Sequence, residues 1–392
     1  MQNNPVIVDI VRSPMARGKA GGALSEVHPA DLLSQTIVAI IERNGLDPAL
    51  VDDLIMGCVS QAGEQAVPTG RIAWLAAGYP QHVPCTMVER RCGSSQQAVH
   101  FAAQGIAAGA YDIVLAGGIE SMSRVPMGSA RMGKEPHGEA FERRYPGMVG
   151  QGISAELIAA RWGIGREAMD AYSANSHALA EKARLSGNLA HEIVPIETPS
   201  GTITQDETIR PGTTLEGLAQ LRASFQNDEI SQRFPEIRWS ITAGNSSQIT
   251  DGASVALVMS EATANRLGLR PRARFVAFDV IADDPLLMLT APMPATRRVL
   301  AKAGMTVDDI DQFEVNEAFA PVPLAWLQEL KADPARLNPR GGAIALGHPL
   351  GASGTRLMAS LLNGLEESGG RFGLQTMCEA GGQANATIIE RL

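Results

Sequence analysis

The amino-acid sequence predicts an α/β protein built from two similar halves. Apolar, strand-like runs alternate with helix-like stretches, a pattern typical of a layered α/β fold with a mainly parallel sheet. Glycine supplies 40 of the 392 residues, about a tenth against an average near 7%, which indicates many tight turns. A helix–loop–strand pattern also recurs later in the chain, which indicates a duplicated domain.

The elements of the first half follow from local patterns. A β-branched run over Pro5–Val11 predicts a buried strand. An amphipathic helix over Asp31–Arg43 ends at Asn44-Gly45, a helix C-cap signal. The remaining predicted elements of this half are a strand, a helix rich in small residues and a strand: Asp53–Val59, Ser94–Ala108 and Asp112–Ala116.

The second half repeats this order. The run Val51–Leu54 aligns with Ile310–Phe313, 259 positions later. Cys92 precedes one predicted helix, and His348 precedes another 256 positions later. Two matches at nearly equal spacing favour duplication over chance.

The region between the halves differs in character. It contains a helical stretch, Ala155–Arg184, and a Gly/Thr/Pro-rich stretch, Pro199–Thr214. We expect a loop domain that lies over the sheet and forms a lid and a ligand surface. The predicted domains are therefore an N-terminal α/β half at 1–120, completed by about 249–268, a loop domain at 121–248 and a C-terminal α/β half at 269–392.

Composition narrows the class of protein. Lys and Arg number 33 against 42 Asp and Glu, a net charge of −9, and without a basic block we expect no nucleic-acid partner. The most apolar runs, Thr36–Ile41 and Ser254–Ser260, are far shorter than the roughly 18–20 residues of a membrane span. The segment Met1–Pro14 lacks the charged lead-in of a secretory signal. Four cysteines without a CxxC pair predict neither a disulfide scaffold nor a metal site, so we expect a cytoplasmic enzyme.

Cys92 is the first candidate for chemistry. It lies directly before the predicted small-residue helix, beside Gly93 and Ser94. The positive end of a helix macrodipole lowers the pKa of a thiol at such a position and favours the thiolate. A buried structural cysteine is the other interpretation, and the local sequence leaves both open.

Three further segments carry polar residues where α/β enzymes often place their sites. His348 lies in the glycine-rich stretch Gly341–Gly354, whose apolar residues predict burial and which lacks the GK[ST] of a phosphate loop. Cys378 ends a predicted strand before Gly381-Gly382. Asn316-Glu317 also ends a predicted strand, where a helix cap is the alternative.

Together these segments resemble the thiolase family. Their order is that of the family: Cys92 beside a Gly-Ser-Ser turn, Asn316-Glu317-Ala318-Phe319, Gly347-His348-Pro349, and Cys378 before glycines. The resemblance extends over essentially the whole chain and includes five further segments: Arg12–Pro14, Ala116–Ser123, Ala243–Ser247, Asp251–Ala253 and Ile388–Glu390. It implies the thiolase fold, in which duplicated halves form α/β/α/β/α layers with an inserted loop domain.

The resemblance implies the chemistry of a 3-ketoacyl-CoA thiolase, an acyltransferase of fatty acid β-oxidation. Cys92 would be the nucleophile that takes the acyl group, and His348 would activate it. Cys378 would protonate the departing acetyl-CoA and then deprotonate the incoming coenzyme A. Coenzyme A is a substrate here, and neither a metal nor a redox cofactor is implied.

Two oxyanions must be stabilised in this reaction. By the same resemblance, His348 and a water held by Asn316 serve the thioester enolate. The backbone N–H groups of Cys92 and Ala380 serve the tetrahedral intermediate. The family usually has glycine at the position of Ala380, and a left-handed backbone there would strain alanine by about 1 kcal/mol or more.

The remaining site residues follow from similarity to segments that bind coenzyme A and substrate. Arg222 would lie near the nucleotide, Ser247 would contact the pantetheine, and Ala318-Phe319 would line its tunnel. Gln151 stands where short-chain biosynthetic members have methionine, which favours a degradative thiolase with a roomier acyl pocket. Two segments are also similar to those of thiolases that act on bulky or steroid-derived acyl-CoA: Cys92–Gln97 and Gln375–Asn385.

Two other functions stay open at the level of sequence. The first is an acetoacetyl-CoA thiolase working in the biosynthetic direction, with the same catalytic groups. The second is a non-catalytic acyl-CoA-binding protein of thiolase fold, which the presence of Cys92, His348 and Cys378 disfavours. The resemblance further implies a homodimer or homotetramer, with a hydratase–dehydrogenase enzyme as a candidate partner.

Overall fold

The protein folds around a ten-stranded sheet, described here for residues 3–392 of a computed structural model. A separate two-stranded sheet is formed by the sixth and seventh strands. In chain order the strands are β1 (Pro5–Arg12), β2 (Ala16–Arg17), β3 (Asp53–Gly57), β4 (Cys85–Val88), β5 (Ile113–Ser121), β6 (Ile196–Thr198), β7 (Gly201–Ile203), β8 (Thr250–Ser260), β9 (Ala273–Ala282), β10 (Gln312–Val315), β11 (Phe372–Glu379) and β12 (Gln383–Arg391).

Helices cover and separate the strands. In chain order they are α1 (Pro29–Arg43), α2 (Thr69–Ala76), α3 (Ser94–Ala107), α4 (Glu139–Arg144), α5 (Gln151–Arg161), α6 (Arg166–Leu185), α7 (Leu215–Ala219), α8 (Asp228–Arg233), α9 (Glu261–Arg266), α10 (Pro292–Ala303), α11 (Pro321–Leu330), α12 (Ala343–Leu346) and α13 (Ser353–Ser368). Among residues 3–392, no helix is long and apolar enough to cross a membrane.

The large sheet is mixed, so the prediction of a mainly parallel sheet is wrong. Its order is β10-β11-β12-β9-β1-β8-β5-β3-β4, with β2 paired to β8. The pairs at the two ends (β10–β11, β5–β3 and β3–β4) are parallel, whereas those between β11 and β5 are antiparallel. The physical reason is visible at β11 and β12, which a short turn at 380–382 joins as a hairpin, and a hairpin pairs antiparallel.

The strand order of the first half returns in the second. The strand order of the first half is β4-β3-β5-β8-β1, and that of the second half is β10-β11-β12-β9. In the second half, Leu337 takes the place of β4, because it forms a parallel bridge with Phe313 of β10. Asp52 accepts the two N–H groups at the start of β5 (2.7 and 2.9 Å). Asp311, which lies 259 positions later, accepts hydrogen bonds from the two backbone N–H groups at the start of β11 (2.7 and 2.8 Å). These matched contacts support the duplication, while the exact domain boundaries stay predictions.

Packing gives the expected layers. Helices α3 and α13 contact each other in the centre and are apolar toward both halves of the sheet. Helices α1 and α2 cover the outer face of the first half, and α10 and α11 cover that of the second. Since the first turns of α3 and α13 lie in this central layer, residues just before them are buried where the two halves meet.

The predicted elements differ from the structure mainly where a helix is interrupted. The predicted helix at Ala155–Arg184 is two helices, α5 and α6, because Gly163 takes φ +63° after α5 and a right-handed helix cannot continue through it. Within the middle region, α5 packs against α11 and α6 against α12, so these two helices rest on the second half.

Candidate active site

Cys92 is held in the turn between β4 and α3. The preceding residue, Arg91, has φ +47°, a left-handed conformation that is costly for a side chain other than glycine. The Cys92 side chain is buried against Leu357 and Met377. The turn therefore places a thiol at the start of the central helix, inside the protein.

The structure corrects the expected pKa of Cys92. Burial, followed by the charge of Glu379, raises the pKa of the thiol to about 12. The free-energy cost of burying a thiolate away from water is larger here than its stabilisation by the helix macrodipole. Cys92 is therefore a neutral thiol at neutral pH and requires a base before it can act as a nucleophile.

His348, which the family resemblance implies as that base, has a defined tautomer. Its Nδ1 atom lies 2.6 Å from Oγ of Ser353, and this hydroxyl donates its own hydrogen to the carbonyl oxygen of Pro349 (2.8 Å). Because the hydroxyl hydrogen is already used, Nδ1 carries the ring hydrogen and Nε2 keeps its lone pair. Burial, followed by the cation of Arg356, lowers the pKa of His348 to about 3, so the ring is neutral.

Asn316 lies beside this free nitrogen. Its Nδ2 atom is 3.4 Å from Nε2 of His348, and its backbone N–H donates to the carbonyl oxygen of Thr376 (3.1 Å). The Oδ1 atom of Asn316 is buried and hydrogen-bonds to none of the residues 3–392. A buried acceptor of this kind is available to a ligand.

Cys378 and Ala380 come from the β11–β12 hairpin. Burial, followed by the charge of Cys92, raises the pKa of the Cys378 thiol well above its usual value. The two chain neighbours of Cys378 lie at the Cys92 turn: Met377 packs against Cys92, and the Glu379 carboxyl lies against Gly93. The strain expected at Ala380 is absent, because the left-handed conformations of the turn fall on Gly381 (φ +90°) and Gly382 (φ +79°). Alanine is therefore compatible with this turn.

A cavity of about 380 Å³ opens beside Cys92. Ala380 and Gln151, the first residue of α5, also line it. Its apolar wall includes Met127, Phe141 and Met148 from the middle region of the chain and Met288 from the second half. Among residues 3–392, no group of three or more His, Cys, Asp or Glu side chains is arranged to hold a metal ion.

Of the predicted coenzyme A contacts, three come together. The N–H of Ser247 donates to the carbonyl oxygen of Ala318 (2.9 Å), and Ser246 forms an antiparallel bridge with Phe319. Arg222 does not join this group: it is exposed and has no hydrogen bond or ion pair to any residue that the structure describes.

Comparison with known proteins gives a consistent result. The family profile "Thiolase, N-terminal domain" matches residues 5–262, and "Thiolase, C-terminal domain" matches residues 269–391. The chain belongs to the thiolase family. Its relatives include the steroid 3-ketoacyl-CoA thiolase FadA6 of Mycobacterium tuberculosis, at 47% identity over 98% of this chain and 94% of that protein. A 3-ketoacyl-CoA thiolase of Escherichia coli is 43% identical over 99% of each chain.

A solved structure shows the same fold. The acetyl-CoA acetyltransferase of Bacillus anthracis superposes with a TM-score of 0.89 at 36% sequence identity. The match covers 100% of this thiolase and 99% of that chain.

Sequence reasoning missed two residues of this thiolase site. Ser353, which sets the His348 tautomer, lies five positions after that histidine, and a hydroxyl so close to it in sequence was the available signal. Glu379, which lies beside Cys92, is a charged residue directly after Cys378 at the end of a buried strand. Its isolation among apolar residues was a signal as well.

Proposed function

We propose that this thiolase is a degradative 3-ketoacyl-CoA thiolase. It uses coenzyme A to cleave a 3-ketoacyl-CoA into acetyl-CoA and a shortened acyl-CoA, through an acyl group on Cys92. The observation that carries the proposal is Cys92, a buried thiol on the wall of a mostly apolar cavity that Ala380 of the β11–β12 hairpin also lines. The buried, neutral ring of His348 supports it. The names and identities of the relatives, FadA6 and the Escherichia coli thiolase, support it.

In the first half-reaction, Nε2 of His348 takes the proton of Cys92, and the sulfur attacks the 3-keto carbon of the substrate. The bond between the α- and β-carbons breaks, and its electron pair leaves with acetyl-CoA as an enolate. The Cys378 thiol protonates that carbon. The products are acetyl-CoA, an acylated Cys92 and a Cys378 thiolate.

In the second half-reaction, Cys378 takes the thiol proton of incoming coenzyme A, whose sulfur attacks the acyl group. Cys92 leaves as a thiolate and regains its proton from His348. Coenzyme A is a substrate in this scheme, and the scheme requires no resident metal or redox cofactor.

Oxyanion stabilisation has two parts in the proposal. The enolate oxygen is served by His348 and by a water that the free Oδ1 of Asn316 would hold. The tetrahedral oxygen is served by the N–H groups of Cys92 and Ala380, and their shared place on the cavity wall supports this assignment. Pantetheine would lie along Ser247, Ala318 and Phe319, with Arg222 toward the nucleotide.

The acyl group is proposed to be larger than acetyl. The cavity beside Cys92 is about 380 Å³ and mostly apolar, and flexible methionines such as Met127 and Met148 adapt to bulky apolar groups. FadA6 is named as a steroid thiolase, which favours a bulky acyl group over an extended one. An acetoacetyl-CoA thiolase in the biosynthetic direction remains the alternative.

Thiolysis rates across a series of 3-ketoacyl-CoA substrates test the proposal. We expect kcat/KM to rise from acetoacetyl-CoA through medium chains to bulky ring-bearing acyl groups, because larger groups bury more apolar surface in the cavity. Cys92→Ala should abolish thiolysis without unfolding the protein, and mass spectrometry should locate the acyl group on Cys92 in the parent protein.

Three outcomes contradict parts of this proposal. A maximum at acetoacetyl-CoA would support the biosynthetic alternative. An adduct on Cys58, Cys85 or Cys378 would show that the nucleophile is misassigned. Binding of acyl-CoA without an adduct or turnover would support the non-catalytic alternative.

A homodimer or homotetramer in the cytoplasm completes the proposal. The support for assembly is β4, which ends the sheet order and, among residues 3–392, pairs with β3 on one side only. The support for a reducing compartment is that all four cysteines are free thiols. A hydratase–dehydrogenase enzyme remains a candidate partner on family resemblance alone.

A further inference from the structure

Glu379 is a buried carboxyl that the mechanism above leaves unused. Its side chain is 0% exposed at the end of β11. Oε1 accepts the backbone N–H of Asn385 (3.0 Å), and Oε2 hydrogen-bonds to none of the residues 3–392. A Cβ added to Gly93 would collide with Oε1, so the carboxyl lies directly on the backbone that follows Cys92.

The charges around Glu379 come from three elements. Arg90 and Glu89 face it from the turn before α3, Cys92 from the start of that helix, and Cys378 from its own strand. Arg90 gives partial compensation, but its side chain donates to Gln383 (3.1 Å) rather than to Glu379. β12 contributes only an uncharged N–H group.

This environment favours the neutral acid. Burial raises the pKa of Glu379 to about 8, and the cation of Arg90 opposes that shift without cancelling it. Of the charges that act on Cys92, that of Glu379 is the largest, ahead of Glu120 and Arg91. Two anions in one desolvated pocket cannot form together without a large penalty.

We propose that Glu379 is a positioning residue that acts through Cys92: as a neutral acid it allows the thiolate to form, and as a carboxylate it opposes the thiolate. The effect of Glu379 on turnover rests on the proposed function. The effect of Glu379 on the Cys92 thiol does not rest on it, because it concerns the free protein. Acylation of Cys92 is then fastest while Glu379 holds its proton and slows as pH rises through about 8.

The Glu379→Gln variant separates charge from shape. Glutamine keeps the volume and an acceptor for the Asn385 N–H group, but it cannot ionise. The readout is the rate of Cys92 alkylation by iodoacetamide as a function of pH, with the adduct quantified on Cys92 by mass spectrometry. Above pH 8 we expect the variant to react about tenfold faster than the parent, which corresponds to about one pKa unit.

A matched control is Glu156→Gln. Glu156 is another buried carboxyl that accepts backbone N–H groups, those of Ser240 and Ile241, but it is not among the groups that shift the pKa of Cys92. Its alkylation profile should equal that of the parent protein. A Glu379→Gln profile identical to that of the parent would overturn the proposal.

The parent protein alone gives a second test. Its alkylation profile should show a break near pH 8, where Glu379 ionises, and a single uninterrupted rise would overturn the proposal even if the glutamine variant fails to fold. In turnover, the parent should lose acylation rate above that pH and Glu379→Gln should not. If no acyl-CoA is turned over, the proposed function fails while the alkylation profile still decides the role of Glu379.

Discussion

At the residue scale, the two groups that we propose to start the reaction are both neutral before substrate binds. Burial raises the pKa of Cys92 to about 12 and lowers that of His348 to about 3, so a thiolate–imidazolium pair is disfavoured in the free protein. The proton transfer becomes favourable only when negative charge moves onward to a substrate oxygen that N–H groups stabilise. This order protects the nucleophile from reaction with solvent oxidants and couples its activation to substrate binding.

Removing the Ser353 hydroxyl tests how far the His348 tautomer matters. In Ser353→Ala, Nδ1 loses its acceptor, so the ring can turn or protonate at Nε2, and we expect acylation of Cys92 to slow by about 10–100-fold. Single-turnover acylation by an acyl-CoA measures this. Ser360→Ala is the matched control on the same helix, because its buried hydroxyl has no partner among residues 3–392. Equal acylation rates in the two variants would contradict the assigned tautomer.

The sequence predicts which residues take part in the reaction, and that assignment stays a prediction, but it could not predict the ionisation of these residues. Cys92, His348, Cys378 and Asn316 stand in short segments whose residue types are visible along the chain. The pKa of Cys92 depends instead on its desolvation by burial and then on the charge of Glu379, which is 287 positions away and reaches it only through the β11–β12 hairpin. A local helix-dipole argument could not include that desolvation.

At the element scale, the turn that follows His348 is held against the first half of the sheet. Gly57 ends β3 and Gly118 lies in β5, and a Cβ on either would collide with the carbonyl oxygen of Gly351. The N–H of Gly351 donates to Oε2 of Glu120 (2.9 Å). This close backbone approach fixes the turn that follows His348 against β3 and β5 of the first half.

Gly118→Ala should disturb this approach. The added methyl group meets backbone atoms of the 350–352 turn, which cannot rotate away, so we expect the free energy of unfolding to fall by about 1–3 kcal/mol. The thiolysis rate should fall as well, because the turn carries His348. Urea unfolding and steady-state rates measure the two effects. Gly138→Ala is the control, since its φ is −88° and nothing lies within 4 Å of the added Cβ; a Gly118→Ala protein as stable and active as this control would refute the close approach.

The helices and strands were predicted correctly where the hydrophobic periodicity and the capping residues indicate the same element. The prediction failed for the direction in which strands pair, which depends on the topology of the whole sheet. The helix predicted at Asp31–Arg43 is α1, and the strand predicted at Pro5–Val11 is β1. The direction of strand pairing was wrong, because it depends on whether the chain returns through a crossover or a hairpin. The Gly381-Gly382 pair is a local hairpin signal, but the antiparallel pairing of β1 with β8 and β9 joins strands far apart in the sequence and has no local signal.

At the scale of the whole molecule, a network of buried ion pairs includes residues of both halves and of the middle region. Arg12 pairs with Glu192 (2.7 Å) and Asp206 (2.6 Å), and Arg340 also pairs with Glu192 (2.7 Å), all of them buried. These pairs tie the middle region to both halves. Duplication was visible in the sequence as a repeated spacing, but this cross-chain network was not, since its partners are about 150–190 positions apart.

The buried histidine His100 makes the stability of the whole molecule depend on pH. Its Nε2 lies 2.7 Å from Oγ1 of Thr387 and its ring stacks on Phe278, and burial lowers its pKa to about 3. The folded state therefore keeps the ring neutral while the unfolded chain binds a proton below about pH 6.5.

The resulting stability is complete above pH 6.5 and is lost as pH falls toward 3, by about 1.4 kcal/mol per pH unit for this one group. His100→Gln keeps hydrogen-bonding capacity and removes the titration, so its free energy of unfolding should fall less steeply on acidification than that of the parent. Urea unfolding at several pH values between 6.5 and 4 measures both slopes. The exposed His82→Gln variant should keep the parent slope, and a His100→Gln protein with that same slope would show that His100 is protonated in the folded state.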